Sequence, residues 1–235
     1  MVFALAGCGQ KKQARAHVPP PPGIEASAPP PATPSNTEAK PKPQPPPLPP
    51  DARPLFVETG YASWYGAPYN NRRGANGQIY DMNAYTAAHR TFPLNSIVRV
   101  TNVATGASTL VTITDRGPFV DNRIIDLSVA AAKAVGVWRP GTAKVKLEVL
   151  QSPAAIDRGG RWAVQMGGFG DQEAATRIKE TLARRYHTAK VLEFSSPVGD
   201  WWVRVRVLDD DKQRAEEVAR NSPAPRENTF LVRLD

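Results

Sequence analysis

Short apolar runs alternate with polar residues from residue 60 onward, and Gly, Asn and Pro separate the runs. Residues 97–103 and 109–114 alternate with a period of two, which predicts two strands joined as a hairpin through Ala104-Thr105-Gly106. Residues 145–150 predict a further strand. One small helix interrupts them, with Ser128 as its N-cap, residues 129–134 as its body and Gly136 as its terminator. Short strands with one helix predict a compact β-barrel.

A second pattern begins after a linker at residues 152–160. Trp162, Val164 and Met166 alternate in a first strand, and a helix around residues 175–182 follows Asp171 as its cap. The remaining elements are a hairpin over residues 191–194 and 201–208, a helix over 212–220 and a last strand over 230–234. This βαββαβ order predicts an α+β sandwich whose sheet has one open face.

The first 54 residues have a different composition. Sixteen of the 24 prolines lie between Pro19 and Pro54, so this stretch buries no core and favours polyproline II. At about 3.1 Å per residue it spans on the order of 100 Å, which indicates a tether. A proline-rich ligand for an SH3-type domain is the alternative. The expected organisation is a barrel domain over residues 55–151, the linker over 152–160 and a second domain over 161–235, with the tether over 9–54.

The single cysteine, Cys8, follows Leu5-Ala6-Gly7, and this tetrapeptide resembles a bacterial lipobox. The resemblance implies cleavage before Cys8, its acylation and retention on a membrane, and Gly9 gives no signal for the inner membrane. Residues 1–8 are then a truncated signal, because the apolar stretch before Cys8 is shorter than the roughly 7–15 residues of a secretory core. The other interpretation is an incidental cysteine in a disordered tail. No stretch approaches the ~20 apolar residues of a spanning helix.

The net charge of +8 is concentrated in residues 60–150, which carry +5 of it. A basic domain outside the cytoplasm prefers an anionic polymer such as cell-wall glycan, lipid headgroups or nucleic acid, and charge does not choose among them.

Polar residues with possible chemistry cluster at the predicted strand ends, at the mouth of the barrel. They are Asn76-Gly77-Gln78, Asp81, His89, Asp115-Arg116-Gly117-Pro118 and Asp126. Taken by itself, Asp115 is better explained as a turn carboxylate paired with Arg116, and His89 as a structural histidine. These residues alone support only a carboxylate-driven hydrolase or lyase. No metal or other cofactor is expected, because the three histidines and Cys8 lack ligand spacing.

Seven motifs of this block resemble the rare lipoprotein A family in order and spacing. They are Gly60-Tyr61-Ala62-Ser63-Trp64-Tyr65-Gly66, Ala75-Asn76-Gly77, Thr86-Ala87-Ala88-His89, Thr91-Phe92-Pro93-Leu94, Val98-Arg99-Val100-Thr101-Asn102, Asp115-Arg116-Gly117-Pro118-Phe119 and Arg123-Ile124-Ile125-Asp126-Leu127-Ser128. The resemblance implies a double-psi β-barrel and an endolytic transglycosylase that cleaves peptide-free peptidoglycan strands with formation of 1,6-anhydromuramic acid.

The same resemblance implies the roles of individual residues. Asp115 is the expected catalytic acid, and His89 positions sugar or steadies charge. Substrate-binding roles fall to Asn76, Asp81, Arg116 and Asp126, although Asp126 also suits a structural role beside Arg123.

One departure concerns the motif Asn-Gly-Glu of the family, which here reads Asn76-Gly77-Gln78. Gln78 can hydrogen-bond a sugar hydroxyl, but it cannot exchange a proton. Activity therefore requires Asp115 to act alone, or Asp81 or Asp126 to substitute. The alternative function is a non-catalytic, peptidoglycan-binding outer-membrane lipoprotein of the division septum. A third interpretation is an expansin-like protein that loosens glycan contacts without cleaving bonds.

Residues 164–169 and 201–207 resemble the SPOR domain, over about residues 161–235. If Val203, Val205 and Val207 face the helices, the opposite face carries the glycan-binding candidates Gln165, Trp202, Arg204 and Arg206. Aromatic and guanidinium planes suit sugar rings and lactyl carboxylates, while the alternative is an ordinary solvated arginine face.

The two resemblances together imply a location and a set of partners. The location is the cell envelope, with a lipid anchor in the outer membrane, a periplasmic orientation and enrichment at the division septum. Peptide-free glycan and division proteins are the expected partners. Nucleic acid is not expected, because the RNP1 signature is absent although the βαββαβ order is RNP-like.

Overall fold

The computed structural model of this chain describes residues 43–48 and 52–235. Cys8 and the greater part of the proline-rich stretch lie outside these residues, so their predicted roles remain predictions.

Six strands close into a mixed barrel in the order β1-β5-β2-β4-β3-β6. The strands are β1 (Phe56–Trp64), β2 (Thr86–His89), β3 (Ile97–Asn102), β4 (Ser108–Asp115), β5 (Arg123–Leu127) and β6 (Ala143–Gln151). Two pairs, β1 with β5 and β2 with β4, run parallel, and the other pairs are antiparallel. The predicted barrel and its hairpin β3–β4 are confirmed.

The barrel core follows from the period-two pattern of its strands. Val98 and Val100 of β3 and Val111 and Ile113 of β4 are fully buried, because alternate side chains of these strands point inward. Helix α1 (Val129–Ala134) begins as predicted, since the Ser128 hydroxyl accepts a hydrogen bond from the Ala131 amide at 3.2 Å. The predicted hairpin and helix are thereby confirmed in detail.

The C-terminal domain has the predicted βαββαβ order. Its elements are β7 (Trp162–Phe169), α2 (Gln172–Arg185), β8 (Lys190–Ser195), β9 (Trp201–Arg206), α3 (Lys212–Arg220) and β10 (Thr229–Arg233). The antiparallel sheet has the order β10-β7-β9-β8, and both helices pack on the face that carries Val164, Met166, Val203 and Val205. Among the described residues, no helix is both long and apolar enough to cross a membrane.

The second face of this sheet is partly covered by the barrel, which corrects the prediction of an open face. The Phe119 ring of the loop after β4 lies 5.3 Å from the Trp202 ring and 5.7 Å from the Phe230 ring, measured between centroids. Trp202 is only 8% exposed as a result. Main-chain contact extends this junction, since the Arg233 amide donates to the Arg90 carbonyl at 3.0 Å. The apolar Phe119 covers aromatic area that water would otherwise contact.

Gly167 of β7 gives a test of the packing in the C-terminal sheet. Its φ is +153°, and an added Cβ would lie 2.7 Å from both the Trp201 carbonyl oxygen and Trp202 Cε3. We expect Gly167→Ala to lower the free energy of unfolding by about 2–3 kcal/mol, measured by urea denaturation followed through Trp fluorescence.

The matched control is Gly170→Ala, where an added Cβ has no heavy atom within 4 Å. We expect that variant to unfold within about 0.5 kcal/mol of the wild type. Equal effects of the two substitutions would contradict the proposed steric cause.

Candidate active site

A cleft of about 710 Å³ opens at the mouth of the barrel. The barrel contributes Tyr65, Tyr69, Asp115 and Asp126 to its lining, and the C-terminal domain contributes Gln165, Phe194, Trp202 and Arg204. Its volume lies within the roughly 300–1,000 Å³ that ligand sites commonly have.

Two carboxylates reach this cleft from opposite sides of the short strand β2. Ala88 of β2 pairs with Asp115 at the end of β4 and with Asp126 in β5. Because neighbouring strands lie about 4.8 Å apart, this register places the two α-carbons roughly 10 Å from each other. The small Ala88 side chain between them leaves room for a ligand.

Asp115 is held by main-chain donors in a largely dehydrated position. Its Oδ1 accepts hydrogen bonds from the amides of Ala75 at 3.1 Å and Arg116 at 2.8 Å. Burial raises the pKa of Asp115 above that of an ordinary carboxyl, while these two amides and then the charges of Arg116 and Arg204 lower it. The net effect shifts Asp115 toward its protonated form relative to an ordinary carboxyl, which is the direction that a general acid requires.

Asp126 is a second carboxylate of the cleft with a different environment. Its Oδ1 accepts a hydrogen bond from the Ser63 hydroxyl at 2.6 Å, and its Oδ2 lies 3.4 Å from Arg123 Nη2. Burial raises the pKa of Asp126 above that of an ordinary carboxyl, as it does for Asp115, although the Arg123 charge and the Ser63 hydroxyl lower it. Asp126 therefore braces Arg123 and also lines the cleft.

Gln78 lies on a tight turn that is anchored beside Asp115. The Gly74 amide donates to the Gln78 carbonyl at 2.8 Å, and the Asn76 amide donates to the Thr114 carbonyl at 3.1 Å. The exposed Gln78 side chain accepts a hydrogen bond from Asn76 Nδ2 at 3.1 Å. The turn thus delivers the Ala75 amide to Asp115, while the side chains of Asn76 and Gln78 bind each other and lie outside the residues that line the cleft.

Asp81 has a local role outside the cleft. Its Oδ1 accepts a hydrogen bond from the Asn83 amide at 2.9 Å, in a turn that the Ala84 amide closes onto the Asp81 carbonyl. This exposed turn carboxylate does not line the cleft, so the structure gives the predicted substrate-binding role of Asp81 no support.

The Arg116 guanidinium is turned away from Asp115 and into the junction between the domains. It donates to the main-chain carbonyls of His89 at 3.1 Å, Phe92 at 2.8 Å and Asp235 at 2.7 Å. Burial lowers the pKa of Arg116 to about 10. The guanidinium makes no ion pair with Asp115, which corrects the expectation that the two side chains are paired. Arg116 nevertheless lines the cleft, and its Nε has no hydrogen-bond partner among the described residues, so its contact with sugar stays a prediction.

His89 is buried and stabilises the chain reversal after β2. Its Nδ1 accepts hydrogen bonds from the amides of Thr91 at 3.2 Å and Phe92 at 3.0 Å, so the proton resides on Nε2, which lies 3.2 Å from Glu58 Oε2. Burial lowers the pKa of His89, although Glu58 raises it. His89 is 3% exposed and does not line the cleft, which favours the structural histidine over a direct contact with sugar.

The C-terminal candidates share one sheet face, as their alternation predicts, but they differ in availability. Arg204 donates from Nε and Nη2 to Gln165 Oε1 at 3.0 and 2.5 Å, and both residues line the cleft. Arg206 is instead bound to Asp210, with Nη2 2.6 Å from Oδ2. Trp202 packs on Phe119, so its contact with the cleft is confined to the part of the ring that Phe119 leaves uncovered.

Tyr65, Tyr69 and Phe194 line the cleft although sequence reasoning gave them no role. Tyr65 lies in the first family motif, which was the available signal, whereas nothing around Tyr69 or Phe194 distinguished them from core aromatics. Burial and then the Asp115 charge raise the pKa of Tyr65, which keeps its hydroxyl protonated. Within the described part of the chain, no three His, Cys, Asp or Glu side chains are grouped to hold a metal ion.

Comparison with known proteins agrees with both domains. Residues 57–147 match the family model described as lytic transglycolase, and residues 158–222 match the SPOR domain. A Neisseria meningitidis serogroup B protein named endolytic peptidoglycan transglycosylase RlpA is 55% identical over 133 residues, which are 56% of each chain. This chain belongs to the RlpA family.

Other comparisons set the extent of this relationship. The Pseudomonas aeruginosa RlpA is 41% identical over 147 residues, with coverage of 63% of this chain and 43% of its own. The present RlpA-family chain spans about half the length of the curated relatives it matches. Among solved structures, the Streptomyces papain inhibitor aligns with 43% of the chain at 22% identity and a TM-score of 0.35.

The raised pKa of Asp115 predicts that the free energy of unfolding falls as pH rises. Because the pKa of Asp115 is raised in the folded state, the folded protein holds this proton more tightly than the unfolded chain. The contribution of this proton to the free energy of unfolding is therefore complete below pH 3.8, the ordinary pKa of an Asp side chain. It is lost as pH rises through the raised pKa of Asp115 in the folded protein. At pH 7 we expect Asp115→Asn to unfold at a higher urea concentration than the wild type.

The difference should shrink as pH falls and disappear below about pH 3.8, because both side chains are then neutral. Asp121→Asn, an exposed change in the next loop, is the control and should leave the transition unchanged. A less stable Asp115→Asn at pH 7 would contradict this account.

Proposed function

We propose that this protein is a peptidoglycan lytic transglycosylase that cleaves peptide-free glycan strands and forms 1,6-anhydromuramic acid. The observation that carries the proposal is the Asp115 carboxyl, whose raised pKa favours its protonated form in a cleft lined by tyrosines and an arginine. The names of the curated relatives support the same reaction class.

The reaction follows from one proton donor and the chemistry of the substrate. Asp115 donates its proton to the bridging oxygen as the muramic acid C1–O bond breaks, and the sugar ring develops oxocarbenium character. The C6 hydroxyl of the same muramic acid then forms a bond to C1, and its proton returns to the Asp115 carboxylate. Asp115 is regenerated, and no water is consumed.

Asp126 is the candidate to replace the missing family glutamate. It lines the cleft on the other side of Ala88, and its carboxylate form, which Arg123 and the Ser63 hydroxyl favour, would stabilise positive charge that develops on the sugar ring. Asp81 lacks this position because it lies in a turn outside the cleft.

A second candidate function is glycan binding without cleavage. It is favoured by Gln78, which stands on the turn beside Asp115 and contributes an amide where the family has an acid. Because an amide neither donates a catalytic proton nor offers negative charge, the Gln78 protein would retain sugar binding and lose turnover.

Mass spectrometry of soluble products from amidase-treated, peptide-free peptidoglycan tests both functions. We expect anhydromuramyl products from the wild type and a loss of at least about 100-fold in rate for Asp115→Asn, since that amide cannot supply the proton. The rate should fall as pH rises through the raised pKa of Asp115. Asp121→Asn is the control and should retain the wild-type rate.

The variant Gln78→Glu separates the two candidates. If the wild type is active, Gln78→Glu should raise its rate on the order of tenfold, because a second acid beside Asp115 adds charge and raises the pKa of the donor. Glycan pelleting by the wild type without products, together with products from Gln78→Glu, would establish the binding protein.

We further propose that Cys8 carries the lipid, that the anchor is in the outer membrane facing the periplasm, and that SPOR binding concentrates the protein at the septum near division proteins. The SPOR match supports the septal part of this proposal. The expected result is that Cys8→Ala moves the protein from the membrane fraction to the soluble envelope fraction in cell fractionation. Retention of the variant in the membrane fraction would exclude a lipid at Cys8.

A further inference from the structure

The candidate active site is walled by both domains of the chain. Asp115, Asp126 and Tyr69 stand on the barrel side, whereas Arg204 and Phe194 stand on the side of the C-terminal sheet. Tyr69 illustrates the short distance between these walls. Burial raises the pKa of Tyr69 most, and the charges of Asp126 in the barrel and Asp200 in the C-terminal domain raise it further. A ligand in the cleft therefore contacts both domains.

Arg204 is a partly buried cation whose polar partner is neutral. Its guanidinium donates twice to the Gln165 side-chain oxygen and lies over the Phe194 ring, 5.3 Å from the centroid. Among the described residues, no carboxylate oxygen lies within 4.0 Å of it. Burial lowers the pKa of Arg204, and the charge that raises it is that of Asp115 across the cleft.

This arrangement leaves a place for an anionic ligand group. A dehydrated guanidinium gains from a charged partner, and its planar fork matches a carboxylate. Gln165, which is 2% exposed, accepts both hydrogen bonds from the Arg204 guanidinium and so fixes the orientation of its plane. Arg206, two residues along the same strand, shows the contrast because it has a direct carboxylate partner in Asp210, which also pairs with Arg161.

We propose that the barrel and the C-terminal sheet hold one glycan segment between them, with Arg204 as the specificity-determining residue that pairs with a muramic acid carboxylate beside Asp115. The inference rests on the proposed function and assigns the C-terminal domain a part in the active cleft as well as in targeting. A stem peptide converts this carboxylate to an amide, which removes the charge that Arg204 recognises. The cleft itself then selects peptide-free strands.

The test is calorimetric titration of the full chain with the disaccharide N-acetylglucosaminyl-N-acetylmuramic acid. This disaccharide lacks the muramic acid glycosidic bond that the proposed reaction breaks, so it is not consumed. The second probe is the same sugar with its lactyl carboxylate converted to a methylamide. We expect one binding event per chain and a preference of about tenfold for the free carboxylate.

Variants on each wall test whether that single event uses both domains. Arg204→Gln should weaken binding of the free acid about tenfold, leave the methylamide unchanged and so abolish the preference, while Arg204→Lys should keep part of it. Tyr69→Ala, on the barrel wall, should weaken binding of both probes. The matched controls are Arg206→Gln and the exposed Tyr61→Ala, which lie outside the cleft and should bind like the wild type.

Two results would overturn the inference. If Tyr69→Ala binds like the wild type while Arg204→Gln does not, the sheet binds glycan by itself and the cleft is not shared. If Arg204→Gln retains the preference for the free acid, Arg204 does not read the carboxylate. Because titration measures binding alone, either answer is independent of whether anhydromuramyl products form, and failure of the proposed reaction is recognised separately.

Discussion

The strand β2 is only four residues long, yet it is hydrogen-bonded along both edges, in parallel to β4 and antiparallel to β5. This double pairing fixes the distance and direction of Asp115 and Asp126 relative to each other, because both residues are register partners of Ala88. Rigid strands hold reacting groups more accurately than loops do, so the barrel positions the acid before any substrate arrives. Two further features depend on this frame: the turn that brings the Ala75 amide to Asp115, and the Arg116 side chain that ties the end of β4 to the reversal after His89. The site is therefore a consequence of how the barrel closes.

The acidity of Asp115 reflects a balance between loss of water and gain of donors. Two main-chain amides contact the carboxylate and favour its charged form, and the Arg116 charge acts in the same direction. Dehydration outweighs them, because the Arg116 guanidinium binds main-chain oxygens and makes no direct contact with Asp115. A guanidinium in direct contact would hold the carboxyl ionised and remove its proton-donating ability near neutral pH. The orientation of Arg116 away from Asp115 thus has a chemical consequence as well as a structural one. Function here carries a cost in folding free energy, as is common where a charge is kept in a poorly hydrated site.

The sequence predicted those elements whose signals are local. Val98 and Val100 alternate with polar residues, so β3 was visible, and Ser128 marked the start of α1 by its capping chemistry. By contrast, Ala87 and Ala88 carry no alternation, and β1 begins at Phe56, before the first family motif, so the pairings that close the barrel were not evident. The roles of Arg116 and His89 depend on contacts with carbonyls and amides that residue type does not reveal. The cover over Trp202 comes from Phe119, more than 80 positions away in the chain, and only the packing of one domain on the other shows it.

In the proposed lytic reaction, the departure at Gln78 matters less than it would in a hydrolase. In a lytic reaction the nucleophile is a hydroxyl of the substrate itself, so no second residue is needed to activate water, and the remaining task is to stabilise charge on the sugar ring. Asp126 is the proposed anion for this task, and Arg204 on the opposite wall is proposed to supply binding energy at the muramic acid carboxylate. Such energy accelerates a reaction when it holds the sugar in the geometry of the transition state. A cleft formed by two domains can therefore offset the loss of one acid by holding the strand more firmly against the acid that remains.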